Sequence, residues 1–154
     1  MGDSAGAGLA LAFTMHLNTL NQTIPSQLIL NAPWLDIHLN DPMVETIQKR
    51  DPFLRQNNAV YLGDAWRKDV PADDYRVSPL YGDYSNLPKT LMIIGTYDIL
   101  YPDTLTFKEK ANASGVDLTY IAKDKMLHVY PLFPFLPEAN DTLEQIIDFI
   151  LTES

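Results

Sequence analysis

The chain has no cysteine, so a disulfide framework, a thiolate metal site and a cysteine nucleophile are all excluded. It is poor in basic residues, with 11 Lys and Arg against 20 Asp and Glu and a net charge of −9. No basic stripe appears, which argues against a binder that tracks nucleic-acid phosphates and against adsorption to anionic membranes. Long apolar runs are missing too: no segment approaches the roughly 18 residues that a transmembrane helix needs. The first apolar run, residues 9–13, has no basic residue ahead of it and does not read as a secretory signal. A cytoplasmic location is therefore the expectation, and the Asn-x-Ser/Thr triplets at Asn21, Asn112 and Asn140 read as coincidences. There is no internal repeat and no low-complexity tract. What is present is ordinary globular material, 46% hydrophobic. A chain of 154 residues suits one domain that removes about two-thirds of its unfolded surface from water.

A helix over 5–20 begins with small residues and turns apolar on nearly every face, so burial against a sheet is expected. Residues 27–32 (Q-L-I-L-N-A) are an apolar run of strand length, stopped by Pro33. Residues 36–88 hold no strong strand and read as an irregular helical insertion, in which Asp41-Pro42 and Asp51-Pro52 mark turn and helix starts. A helix over 52–66 would align Leu54, Asn58, Tyr61, Leu62 and Ala65 along one side. Residues 90–95 (T-L-M-I-I-G) are apolar without alternation, as in a parallel strand covered on both faces. A helix over 102–113 is closed by Gly115, and a third strand covers 117–122. A last helix over 138–152 carries Ala139, Leu143, Ile146, Ile147 and Ile150 on one stripe. Strands separated by helices predict an α/β fold with three parallel strands (27–32, 90–95 and 117–122) and right-handed crossovers.

The most informative segment is Gly2-Asp3-Ser4-Ala5-Gly6. A serine in Gly-x-Ser-x-Gly sits on a turn too sharp for bulky neighbours, and the reading assigns the missing Cβ atoms of both Gly2 and Gly6 to that close approach. The hydroxyl then stands at a helix mouth, where backbone N–H groups and the helix dipole favour developing negative charge. Functional residues of open parallel sheets gather beyond the carboxyl ends of the strands. Asp98 follows strand 90–95 and His128 follows strand 117–122. Either residue alone reads as a turn or surface group. Ser4, Asp98 and His128 together, in that order at successive β elements, match the chain order of a hydrolase triad. The types suit the chemistry: an imidazole takes the serine proton, and a carboxylate fixes its tautomer and stabilises the imidazolium. His16 reads as structural, His38 breaks the order, and Asp103 beside Pro102 reads as a turn residue or helix cap.

These segments carry a family resemblance. G-D-S-A-G, A-P-W-L-D, R-V-S-P-L-Y-G-D-Y-S-N-L-P-K-T-L-M-I-I-G-T-Y-D-I-L and M-L-H-V-Y-P-L-F-P resemble the carboxyl-terminal half of an α/β-hydrolase. The branch is that of the hormone-sensitive-lipase-like carboxylesterases, and Val77-Ser78-Pro79-Leu80 ahead of Leu87-Pro88 is the most branch-specific piece. The resemblance covers essentially the whole chain, as one partial domain over 1–154. It implies Ser4 as nucleophile, Asp98 as acid and His128 as base, small uncharged esters as substrates, and no metal or organic cofactor.

The family's strand leading into the serine turn and its upstream His-Gly-Gly oxyanion segment have no counterpart in these residues. Of the oxyanion donors only the Ala5 N–H remains, and a fragment or truncated reading frame is the expectation. Strand 27–32 is then expected to be a bare edge, apolar on both faces, promoting self-association or a partner that supplies the missing half. Tyr61, Trp66 and Tyr97 are candidates for the acyl or alcohol wall, with core packing the preferred alternative. Leu127, Val129 and Tyr130 either line the site or anchor its loop, and Asp36 reads as a loop-bracing carboxylate. Two functions stay open besides the esterase. One is a non-catalytic α/β module acting by association, and the other is a peptidase on the same fold.

Overall fold

The computed structural model describes residues 1–152. Four strands form one sheet: β1 (Gly2–Asp3), β2 (Gln27–Asn31), β3 (Lys89–Gly95) and β4 (Leu118–Lys123). They lie in the order β1-β2-β3-β4, all parallel. The helices are α1 (Ala5–Thr19), α2 (Met43–Ile47), α3 (Gln56–Arg67), α4 (Tyr101–Ala113) and α5 (Pro137–Leu151).

The alternation of the strands builds two cores. Leu28, Leu30 and Met92 meet Ala7, Leu11 and Met15 of α1 and Phe107 and Ala111 of α4. Ile29, Leu91 and Ile93 point the other way, onto Ile146 and Phe149 of α5. A third cluster, with Ala32, Leu39, Val44, Ile94, Ile99 and Leu100, fills the carboxyl end of the sheet beneath the loops. Buried Leu and Ile side chains of this kind are each worth about 1.5–3 kcal/mol.

Several expectations need correction. The sheet has four strands, not three, because Gly2 and Asp3 pair with Leu30 and Asn31. The strand that feeds the serine turn is therefore present as a two-residue stub. The end of β2 is covered by it, and only Gln27–Ile29 lack a partner on that side among the described residues. The helix expected over 52–66 begins at Gln56, since the Asp51 carboxylate accepts the Phe53 and Leu54 N–H groups and holds 51–54 as a turn. Its inward side is Ala59, Val60 and Gly63, while Tyr61 and Leu62 face solvent. In α5 the buried line is Ala139, Thr142, Ile146 and Phe149, and Leu143, Ile147 and Ile150 are exposed. Leu9 and Phe13 likewise leave one side of α1 uncovered. Asp103 caps nothing: it is buried in the first turn of α4 with Oδ2 unpartnered. Gly115 does close α4, at φ +73°.

Candidate active site

The site is assembled where β1, β3 and β4 end. Ser4 sits between β1 and α1 with φ 54° and ψ −121°, a conformation that costs a non-glycine residue about 1–3 kcal/mol. Hydrogen bonds on both sides hold it there. Its N–H donates to the Asn31 carbonyl at 2.9 Å, and its own carbonyl accepts from Ala7, Gly8 and Trp34, each at 3.1 Å. Gly2 permits the turn, because a Cβ there would fall on the backbone of Gly6 and Ala7. The second close approach belongs to Gly8, not Gly6. A Cβ on Gly8 would strike the Trp34 carbonyl, whereas one on Gly6 would meet nothing among the described residues. Ala5 opens α1, so its N–H lacks an intrahelical acceptor and lies beside the Ser4 hydroxyl's own backbone.

The structure brings three of the residues singled out above into one hydrogen-bonded line. His128 Nε2 stands 2.9 Å from Ser4 Oγ, and His128 Nδ1 stands 2.7 Å from Asp98 Oδ2. An ionised Asp98 accepts only, so Nδ1 carries the hydrogen toward it and the Nε2 lone pair faces the serine hydroxyl. Asp98 is fully buried, with Oδ1 accepting the Leu100 N–H at 2.9 Å. Burial pushes its carboxyl above the ordinary range; the His128 hydrogen bond and charge pull it down, and the charge of Asp51 pushes it up. The segment before His128 comes close because Gly95 lacks a Cβ, which would fall on the Met126 carbonyl. Tyr97 N–H donates to that same carbonyl at 3.0 Å, tying the two loops together.

Other candidates fall elsewhere. Asp36 does brace its loop: its carboxylate accepts from the His38 and Asn40 N–H groups, the Asn40 side chain and the Tyr81 hydroxyl. His16 meets the Tyr75 hydroxyl at 3.0 Å and His38 meets Asp64 at 3.2 Å, both away from Ser4. Tyr61 is 74% and Trp66 62% exposed, so core packing is wrong for both. Tyr97 is half-buried, with the Arg50 guanidinium 5.7 Å from its ring centre. Leu127 and Tyr130 pack with α5 and Val129 with the carboxyl-end cluster, so these three anchor the His128 loop.

A largely apolar cavity of about 280 Å³ adjoins the start of α1. Ala5, Gly6, Trp34, Ile37, Trp66 and Pro79 form much of its wall, and of the three aromatic candidates only Trp66 borders it. Trp34 was legible only as part of a family-like pattern, yet it bonds Ser4, lines the cavity and has a buried indole N–H with no acceptor. Among the described residues no helix is long and apolar enough to cross a membrane.

Comparison with known proteins gives this geometry its context. A model of the α/β hydrolase fold matches residues 1–132. An esterase of Acinetobacter venetianus is 36% identical over 154 residues, with 96% of this chain and 50% of that protein covered. An acetyl-hydrolase of Streptomyces hygroscopicus is 27% identical over 152 residues, covering 98% and 51%. The crystal structure of an esterase from the bacterial hormone-sensitive lipase family superimposes with a TM-score of 0.92 at 29% identity, over 96% of this chain and 50% of that one. The chain spans about half the length of these relatives.

Proposed function

This chain belongs to the α/β hydrolase fold family, on its esterase and lipase side, and from that premise we propose that Ser4, His128 and Asp98 are the nucleophile, base and acid of a carboxylic-ester hydrolase. One observation carries the reading: an unbroken relay from Ser4 Oγ through the imidazole to a buried carboxylate. Ser4 Oγ attacks the ester carbonyl carbon as its proton passes to His128 Nε2. The imidazolium forms against Asp98 in a dry site, where the attraction of the pair is stronger than in water. The tetrahedral oxyanion is met by the Ala5 N–H at the positive end of α1. Collapse expels the alcohol, which takes the proton from Nε2 and leaves an acyl-serine. Water, deprotonated by His128, then releases the acid and restores Ser4.

Small carboxylic esters suit the cavity beside Ala5 and Gly6, with Trp66 and Trp34 against the apolar part. The test is p-nitrophenyl acetate hydrolysis by the chain beside its Ser4→Ala variant. Serine-dependent release of p-nitrophenol is expected. Equal rates for the two proteins would replace the esterase with the alternative, an α/β module that keeps the relay without turnover.

A further inference from the structure

The turn between α2 and α3 holds a buried carboxylate that the ester chemistry leaves unused. Asp51 is 2% exposed. Its Oδ1 accepts the Phe53 N–H at 2.8 Å and the Leu54 N–H at 2.9 Å, which closes its own turn. Its Oδ2 reaches across 48 positions of sequence to accept the N–H of Ile99 at 2.9 Å. Ile99 is fully buried and directly follows Asp98. The loop after β3 is thus held by two carboxylates, Asp98 on the Leu100 N–H and Asp51 on the Ile99 N–H.

We propose that Asp51 is a positioning residue for the Ser4–His128–Asp98 relay, fastening the loop after β3 so that the Asp98 carboxylate meets His128. The inference rests on the triad reading above. A second carboxylate near a buried one costs hydration and mutual repulsion, and Asp51 sets against that cost three backbone N–H bonds, two closing its own turn and one, from Ile99, reaching the residue next to Asp98. A single backbone carbonyl has one oxygen and could not tie both segments in this way. Burial is the main cause that raises the proton affinity of Asp98, and the charge of Asp51 adds to it. The charged and titratable groups around this point are few. Asp98 faces Asp51 from the loop after β3, and His128 faces Asp98 from the loop after β4. From the turn itself, Arg50 lies over the Tyr97 ring, and Arg55 Nη1 donates to the carbonyls of Asp51 and Leu54. Neither arginine pairs with the Asp51 carboxylate among the described residues. Backbone N–H groups hold it instead.

The test is proton NMR of the downfield region, which reads the His128 Nδ1–H toward Asp98 without needing turnover. The wild-type chain is compared with Asp51→Asn, with Asp98→Asn to assign the signal, and with Asp36→Asn as a buried carboxylate bonded elsewhere. The expected result is a signal present in wild type and Asp36→Asn. In Asp51→Asn it is lost or broadened by faster exchange with solvent. An unchanged signal in folded Asp51→Asn overturns the role of Asp51 and leaves the triad standing. A folded wild-type chain without the signal overturns both. Should Asp51→Asn not fold, amide exchange in wild type decides: Ile99 is expected to be as protected as Ile93 and Ile94 of β3, and fast exchange there overturns the proposal.

Discussion

Asp103 lies in the first turn of α4 at 3% exposure, and its Oδ2 meets no donor. Burial, with Asp36 and Asp41 adding like charge, pushes its carboxyl from 3.8 to about 8. The folded chain therefore keeps this proton between those two values while the unfolded chain has released it. Stability is fully present below the unfolded value and declines as pH rises toward the folded one, by at most about 1.4 kcal/mol per pH unit. Asp103→Asn removes that slope. Thermal melts at pH values between about 4 and 8 are expected to show a smaller fall in midpoint for the variant than for wild type, and parallel falls would refute the assignment. Ser4 presents strain of another kind, backbone rather than charge. It is held in place by four hydrogen bonds at its own peptide groups, to Asn31, Ala7, Gly8 and Trp34. What such a residue costs the fold it returns as a fixed hydroxyl position.

Glycines set the distances between elements. Adding a methyl at Gly95 forces the end of β3 away from the Met126 carbonyl, two residues before His128. Gly95→Ala is expected to lose about 1–3 kcal/mol, the range for overpacking a tight contact. Gly6→Ala meets nothing and should instead gain up to about 1 kcal/mol of helix propensity. Urea denaturation of the two variants compares them directly, and equal losses would contradict the contact geometry. The elements themselves were legible where a pattern had one cause. β3 is apolar on both faces and was readable within a residue at its start, and Gly115 marked the end of α4. Where two patterns competed, sequence alone misled. Apolar residues cover so much of α5 that its buried line, through Thr142 and Phe149, was masked by Leu143 and Ile150. Asp51-Pro52 looked like a helix start because the carboxylate's real partners, Phe53, Leu54 and Ile99, include one far off in sequence. Ser4, Asp98 and His128 were visible because each follows a β element. Trp34 and the cavity it borders were not, since an indole's role depends on which segments cross above it.

At the scale of the whole molecule, apolar surface remains on both sides of the sheet beside β1. Leu9 and Phe13 of α1 are exposed on one face, and Ile147 and Ile150 of α5 on the other. Among the described residues, the edge of β2 is paired by β1 at Leu30 and Asn31 alone. Open strand groups flanked by apolar side chains favour association with another chain. The net charge of −9 opposes association of like copies at long range, and salt screens it. Self-association that grows with ionic strength is the expected outcome in sedimentation velocity, weakened by Ile150→Glu. A monomer at high concentration and high salt would contradict it.

The Ser4–His128 hydrogen bond joins residues 124 positions apart. It closes a long loop, and such long-range contacts form late because their entropy must be offset by structure already in place. In the native chain the meeting of Ser4 and His128 goes with the register of β2, β3 and β4. Capture of a serine-directed phosphonate that depends on His128 would then serve as a clock for folding, counting molecules that have completed the sheet and passing over collapsed chains that have not.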